Sequence, residues 1–220
     1  MKNISGFLCL FLGVCSVFGS AFGKDHTIKA PAVDAPSIAP PSVGKTELKD
    51  LTIDKDHTSI LFTVPHLVVS KVQGRFDLFE GSLQFDSKGV LKGIQGKAIV
   101  ASINTNNEKR DKHLKSPDFF ELDKFPELLF QVENLDIKQK SSKKVAAQLT
   151  IKGIQKTVMV DVSNRGVIKD PWGTQKLVVD AKATVNRKDF GLLWNEVLET
   201  GGVMVGEKVS IEVQTQVSMP

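Results

Sequence analysis

From Leu48 onward, apolar and polar residues alternate with a period of two along most of the chain. Ile60, Phe62 and Val64 alternate with Ser59, Leu61 and Thr63, and Leu83 and Phe85 with Ser82 and Gln84. Val145, Ala147, Leu149 and Ile151 alternate with Ala146, Gln148 and Thr150, and Val158, Val160 and Val162 with Met159 and Asp161. Leu177, Val179, Ala181, Ala183 and Val185 form a longer row, and Val209, Ile211, Val213, Thr215 and Val217 the cleanest one. A period of two sends successive side chains to opposite faces, so each run predicts an antiparallel strand with one buried face. Turn signals separate the runs at Asp86-Ser87-Lys88-Gly89, Lys152-Gly153, Ser163-Asn164-Arg165-Gly166, Asp170-Pro171-Trp172-Gly173 and Gly201-Gly202. Leu128, Phe130 and Val132 share one parity, Leu135 and Ile137 the other, which predicts a bulge or bend near Asn134. The pattern predicts an all-β fold. A closed barrel removes exposed strand edges and is favoured, with a two-sheet sandwich as the alternative.

Residues 102–132 break this pattern with a dense charged turn, Arg110-Asp111-Lys112-His113, followed by Phe119-Phe120 and Phe125-Pro126. Asn106 or Asn107 can cap a short helix over residues 108–114, and Pro117 ends it. Arg110 and Asp111 are expected to pair locally. A helical excursion between two strands would lie across a barrel mouth.

Composition adds limits. A hydrophobic content of 41% sustains a core, and the net charge of +4 is spread along the chain. It lacks the concentrated basic stripe of a nucleic-acid-binding protein. Residues 1–23 read as a secretory signal, with Lys2, an apolar run and Ala21-Phe22-Gly23 as cleavage site. Residues 24–47 read as a Pro/Ala-rich flexible linker and residues 48–220 as one domain. A periplasmic or secreted location is therefore expected. Cys9 and Cys15 fall inside the signal, which excludes thiol chemistry from the mature domain. His57 and His66 are the candidates for a hydrolase or isomerase, but no Gly-x-Ser-x-Gly or His-Glu-x-x-His motif accompanies them. The spacing of His57, His66 and His113 fits no standard metal site. No catalytic residue and no metal is assigned. Small inward residues, Ala147, Ala181 and Ala183, can leave room inside a barrel for one slim molecule.

Several ordered motifs resemble the YceI-like family of exported polyisoprenoid-binding proteins. They are Leu51-Thr52-Ile53-Asp54 with His57-Thr58-Ser59-Ile60-Leu61-Phe62, Val64-Pro65-His66-Leu67, and Gly74-Arg75-Phe76 with Phe79-Glu80-Gly81. Ser102-Ile103-Asn104-Thr105, Arg110-Asp111-Lys112-His113-Leu114, Asp118-Phe119-Phe120 and Phe125-Pro126 follow. Then come Leu149-Thr150-Ile151-Lys152-Gly153, Asn186-Arg187-Lys188-Asp189-Phe190-Gly191 and Val205-Gly206-Glu207-Lys208-Val209. Phe125 stands where the family commonly has Tyr, and Leu51 where it often has Trp. The resemblance implies an extended eight-stranded antiparallel, lipocalin-like barrel with a short helix over its mouth. It implies a binding protein rather than an enzyme, holding a polyisoprenoid, isoprenoid quinone or fatty-acid derivative for transport, storage or stress protection. A quinone-linked module serving an electron-transfer partner is the alternative. No cofactor is required beyond such a bound lipid or quinone. The expected partner is a long-chain apolar lipid, with room for a homodimer, at most transient membrane contact and no nucleic acid. On this reading Phe62, His66, Leu67, Phe76, Phe119, Phe120, Phe130, Phe190 and Trp194 contact the ligand. Arg110, Asp111 and His113 meet its head group or anchor the insert.

Overall fold

The computed structural model describes residues 47–67, 69–197 and 204–219. The expected signal with its two cysteines, nearly all of the expected linker and the Gly201-Gly202 turn lie outside these residues. Eleven segments pair into one antiparallel sheet. They are β1 (Lys49–Thr52), β2 (Ser59–His66), β3 (Ser70–Phe76), β4 (Phe79–Phe85), β5 (Leu91–Ile99) and β6 (Ile103–Asn104), then β7 (Glu127–Val132), β8 (Ser141–Ile151), β9 (Ile154–Lys169), β10 (Gln175–Asn186) and β11 (Lys208–Ser218). One helix, α1 (Glu108–Lys115), lies between β6 and β7.

Three consecutive pairs are single strands broken by a kink. β1 continues into β2 through a 3-10 turn at Lys55–His57, β3 into β4 through Asp77 and Leu78, and β5 into β6 through a 3-10 turn at Val100–Ser102. The pairing follows: β1 lies on β4 and β2 on β3, while β4 lies on β5 and β3 on β6. Counted this way the sheet has the eight strands expected. β11 pairs with β2 from Ser210–Thr63 to Gln214–Ser59 and meets the end of β1 at Ile53–Val217. First and last strands are thus neighbours, the sheet closes, and the sandwich alternative falls.

Polar side chains fix the kinks, tying the first to β10 and the second to the third. Asp54 accepts the Asp56 N–H at 3.1 Å and holds His57 Nδ1 and Lys176 Nζ, each at 3.0 Å. Asp77 takes Arg75 Nε at 2.6 Å and Asn104 Nδ2 at 3.0 Å. Ser102 Oγ donates to the Ile99 carbonyl at 2.7 Å and accepts the Leu78 N–H at 2.9 Å.

The strand registers sort the connections to two ends. Residues 86–90, 133–140 and 170–174 gather at one end, the floor. The β2–β3 turn, residues 105–126, the Lys152-Gly153 turn and the β10–β11 connection gather at the other, the mouth. The floor is packed solid by Leu83, Phe85, Leu91, Ile137, Leu177 and Val217.

One expectation changes here, and another is met. The Ser163-Asn164-Arg165-Gly166 stretch is no turn: β9 runs through it with a bulge, Gly166 at φ 90° and the register to β10 shifting between Val178 and Val179. Asn164 points inward, and its amide donates to the Gly89 and Ile137 carbonyls, each at 3.1 Å, while accepting the Gly166 N–H at 3.1 Å. A polar side chain in the inward row is what made the sequence read as a turn. Near Asn134, β7 ends at Val132, and Asn134 turns the chain at φ 56°. Leu135 and Ile137 then enter the floor, their N–H groups bonded to Lys92 and Leu91. Of the bulge or bend expected there, the structure has the bend, just past the end of β7.

Asn164→Ala removes the partner of three buried backbone groups, and chemical denaturation should show a loss of about 2–4 kcal/mol. Acid sensitivity gives a second check. The Lys176 hydrogen bond, then the contacts of His57 and Asp56, hold the Asp54 carboxyl below the usual carboxylate range against a burial penalty that raises it. Its stabilisation is complete above the carboxyl's unfolded pKa and is lost as pH falls through the lowered folded value. Below about pH 4, Asp54→Asn should therefore show a shallower fall of Tm with pH than the parent.

Candidate functional site

Above the floor the barrel is hollow. A cavity of about 620 Å³ extends from Leu83 and Val179 at the floor to α1 at the mouth, walled almost wholly by apolar side chains. That is within the size range of small-molecule sites. The space comes from the sequence. Ala181 and Ala183 put only methyl groups on the inward row of β10, and Gly81 and Gly96, opposite one another on β4 and β5, put none. A Cβ on Gly96 would meet nothing nearer than the Glu80 carbonyl at 3.4 Å, so this part of the wall is bare backbone facing open space. Gly74 differs: the Phe62 ring fills its missing side chain, 2.2 Å from where a Cβ would stand.

The mouth is covered by residues 105–126. Asn107 caps α1, accepting the Arg110 N–H at 3.0 Å. The expected Arg110–Asp111 pair is replaced by a relay through Thr105. Arg110 Nε donates to Thr105 Oγ1 at 2.7 Å, and Thr105 donates through Oγ1 at 2.5 Å and N at 2.9 Å to Asp111. Thr105 is buried, so this relay fixes α1 to the end of β6. On the far side Lys152 Nζ donates to the Pro117 carbonyl at 2.8 Å and faces Glu121 at 3.8 Å. Below α1 two aromatic groups form the ceiling. Phe120 packs edge-on against Phe76 at 6.3 Å, and Phe76 against Phe62 at 5.7 Å. The His113 ring stands edge-on to Phe119 at 5.0 Å and to Trp194 at 4.8 Å, and Nε2 bonds Asp118 at 2.9 Å. Trp194 belongs to the β10–β11 connection, so these contacts join the two halves of the cover.

That connection hangs on one buried guanidinium. Arg187 donates to the carbonyls of Gly206 and Trp194, each at 2.9 Å, to Val205 at 3.3 Å, and to Leu192. Burial pushes its pKa down from the usual value, and Glu207 offsets part of this. Arg187, Arg110, Lys109, His113 and His66 are the basic groups lining the mouth half of the cavity.

Of the residues singled out by sequence, Phe62, His66, Phe76, Phe119, Phe120, Phe130 and Trp194 line the cavity, and Arg110 and His113 edge its mouth. Three do not. Leu67 sits on the turn after β2 at φ 51°, its N–H bonded to Met204 and its side chain largely exposed. Phe190 is fully buried beside the cavity, packed with Leu149, Ile151 and Val185. Asp111 turns to Thr105. His57 lies outside on the first kink, apart from His66 at the mouth. Phe125 rests on Gly153, and Leu51 packs on the floor, so neither departure from the family pattern faces the cavity. Arg187 went unrecognised although a signal existed: it continues the inward parity of Ala181, Ala183 and Val185.

Comparison with known proteins gives the kinship. The pattern of the YceI-like domain family matches residues 51–217. The UPF0312 proteins SA2479 and SAS2572 of two Staphylococcus aureus strains are 40% and 41% identical over 175 residues, covering 78% of this chain and 99% of each relative. Among solved structures, Burkholderia cenocepacia BcnA superposes with a TM-score of 0.62 at 20% identity, covering 75% of this chain and 99% of its own. A polyisoprenoid-binding domain from Saccharophagus degradans gives 0.58 at 15% identity, covering 79% and 100%. At such identities the structural likeness establishes the fold.

Arg187→Lys leaves one ammonium where four carbonyls are now served. Hydrogen exchange at residues 192–194 and 205–206 should accelerate about a hundredfold, equivalent to roughly 3 kcal/mol, with the β8–β9 amides unchanged.

Proposed function

We propose that this chain, which belongs to the YceI-like domain family, binds one long apolar lipid tail within its barrel, polar end at the mouth. The single observation that carries this reading is the cavity: almost wholly apolar in its lining, packed shut at the floor and with Arg110, Lys109, His113, His66 and Arg187 gathered toward the mouth. At about 620 Å³ it has room for on the order of twenty methylene-sized groups. Burial of each methylene contributes about 0.8 kcal/mol, from which ordering of the tail subtracts. A polyisoprenoid, isoprenoid quinone or fatty-acid derivative meets these terms. His66, Arg110 and His113 then face its oxygen-bearing end, and Phe119, Phe120 and Trp194 close over the first carbons. With export directed by residues 1–23, the protein would hold such lipids outside the cytoplasm.

Organic extraction of the purified protein followed by mass spectrometry should yield a long-chain apolar compound. Ala183→Phe places a ring in the hollow and should weaken binding of a fluorescent long-chain probe at least about tenfold, the equivalent of roughly 1.4 kcal/mol, with Tm unchanged or raised. Folded protein that repeatedly yields no such compound and ignores the probe would sink the reading.

A further inference from the structure

The floor end carries a surface that the cavity does not explain. Trp172 is 87% exposed and Ile168, on the same hairpin, 54%. Trp172 is presented rather than left loose. Asp170 Oδ1 accepts the Trp172 and Thr174 N–H groups at 3.0 and 2.8 Å, and Gly173 closes the turn at φ 94°. The same end of the barrel carries Lys88, Lys138, Lys140, Lys143 and Lys169, none with an ion-pair partner among the described residues. They belong to one neighbourhood. The Lys169 chain lies along Gly173, Lys140 covers Gly166, and Gln139 donates to the Lys88 carbonyl at 3.2 Å. Lys138 and Lys143 both act on Asp136. Of the acidic groups at this end, Asp86 and Asp136 pair with Lys92 and Asp180 with Arg165, while Asp170 and Glu133 bond uncharged N–H groups and Glu47 and Asp50 stand at the start of β1.

An exposed indole at an end of the barrel that also carries several lysines combines what a headgroup layer selects, an amphipathic ring and charges opposite to the lipid phosphates. The mouth also exposes apolar groups, Leu67, Val69, Leu193 and Val197, but its lysines alternate with Glu108, Asp118, Asp123, Asp189 and Glu196. We propose that the floor end of the barrel docks on an anionic bilayer surface, Trp172 entering the headgroup layer and the five lysines lying over lipid phosphates. The mouth then faces away from that bilayer. This is independent of what the cavity holds.

The two tryptophans, Trp172 and Trp194, sit at opposite ends, so each can report its own event. In the Trp194→Phe variant, emission from Trp172 should shift to the blue and be quenched by brominated lipid on vesicles of mixed phosphatidylglycerol and phosphatidylcholine. Pure phosphatidylcholine should leave it unchanged, and salt near about 1 M should reverse the shift by screening. Replacing Lys138, Lys140, Lys143 and Lys169 together by Gln should weaken the response at least about tenfold, while retention of the cavity lipid, assayed by extraction, stays as in the parent. Trp172 emission that stays at the water-exposed wavelength on anionic vesicles overturns the proposal. So does vesicle binding through another face, or a response only to a protein partner or a second copy.

Discussion

Everything in this molecule depends on the pairing of its last strand with its first. β11 meets β2 along five residue pairs and reaches β1 through Ile53 and Val217. Without that seam the sheet would have two edges of unpaired backbone groups, and the inward row would face water rather than a common interior. Closure fixes the radius, and with it the size of what can be enclosed. The kinks at residues 53–58, 77–78 and 100–102 fall on three neighbouring strands, so the wall bends as a unit while each half keeps its own pairing.

Within that wall, packing and emptiness are divided by height. The floor takes the ordinary role of a hydrophobic core, with Phe85, Leu91, Ile137 and Leu177 buried completely. Asn164 stitches two floor loops to β9 across it. The upper half gives up that packing, since Gly96, Ala181 and Ala183 decline to fill it. The cover is held instead by polar groups at its margins: the Arg110–Thr105–Asp111 relay, Lys152 on Pro117, and Arg187 on four carbonyls. Stability comes from below and the binding space from above, so changes in one half need not be felt in the other.

Much of this was legible in the sequence. Alternation located the long strands because a wall with one wet and one dry face imposes that period, and α1 was framed by Asn107 and Pro117. What escaped has a common cause. Asn164 and Arg187 are polar residues in inward rows whose partners are backbone carbonyls of loops, for Asn164 far along the chain and for Arg187 in the connection that follows it, and alternation alone does not name such partners. Leu67 and Phe190 are apolar and lie beside the cavity, yet one turned to solvent and the other into the wall. Hydrophobicity predicts burial, whereas facing a void depends on which neighbours are small. The kinks were invisible for the same reason, since Asp54, Asp77 and Ser102 act across strands.

The packed floor has one more consequence. If a lipid tail enters the barrel as proposed, it must back out head-first through the mouth, because the floor is packed shut. Two such occupants cannot pass, so the interior must empty before it can refill, and throughput then follows dwell time more than strength of holding.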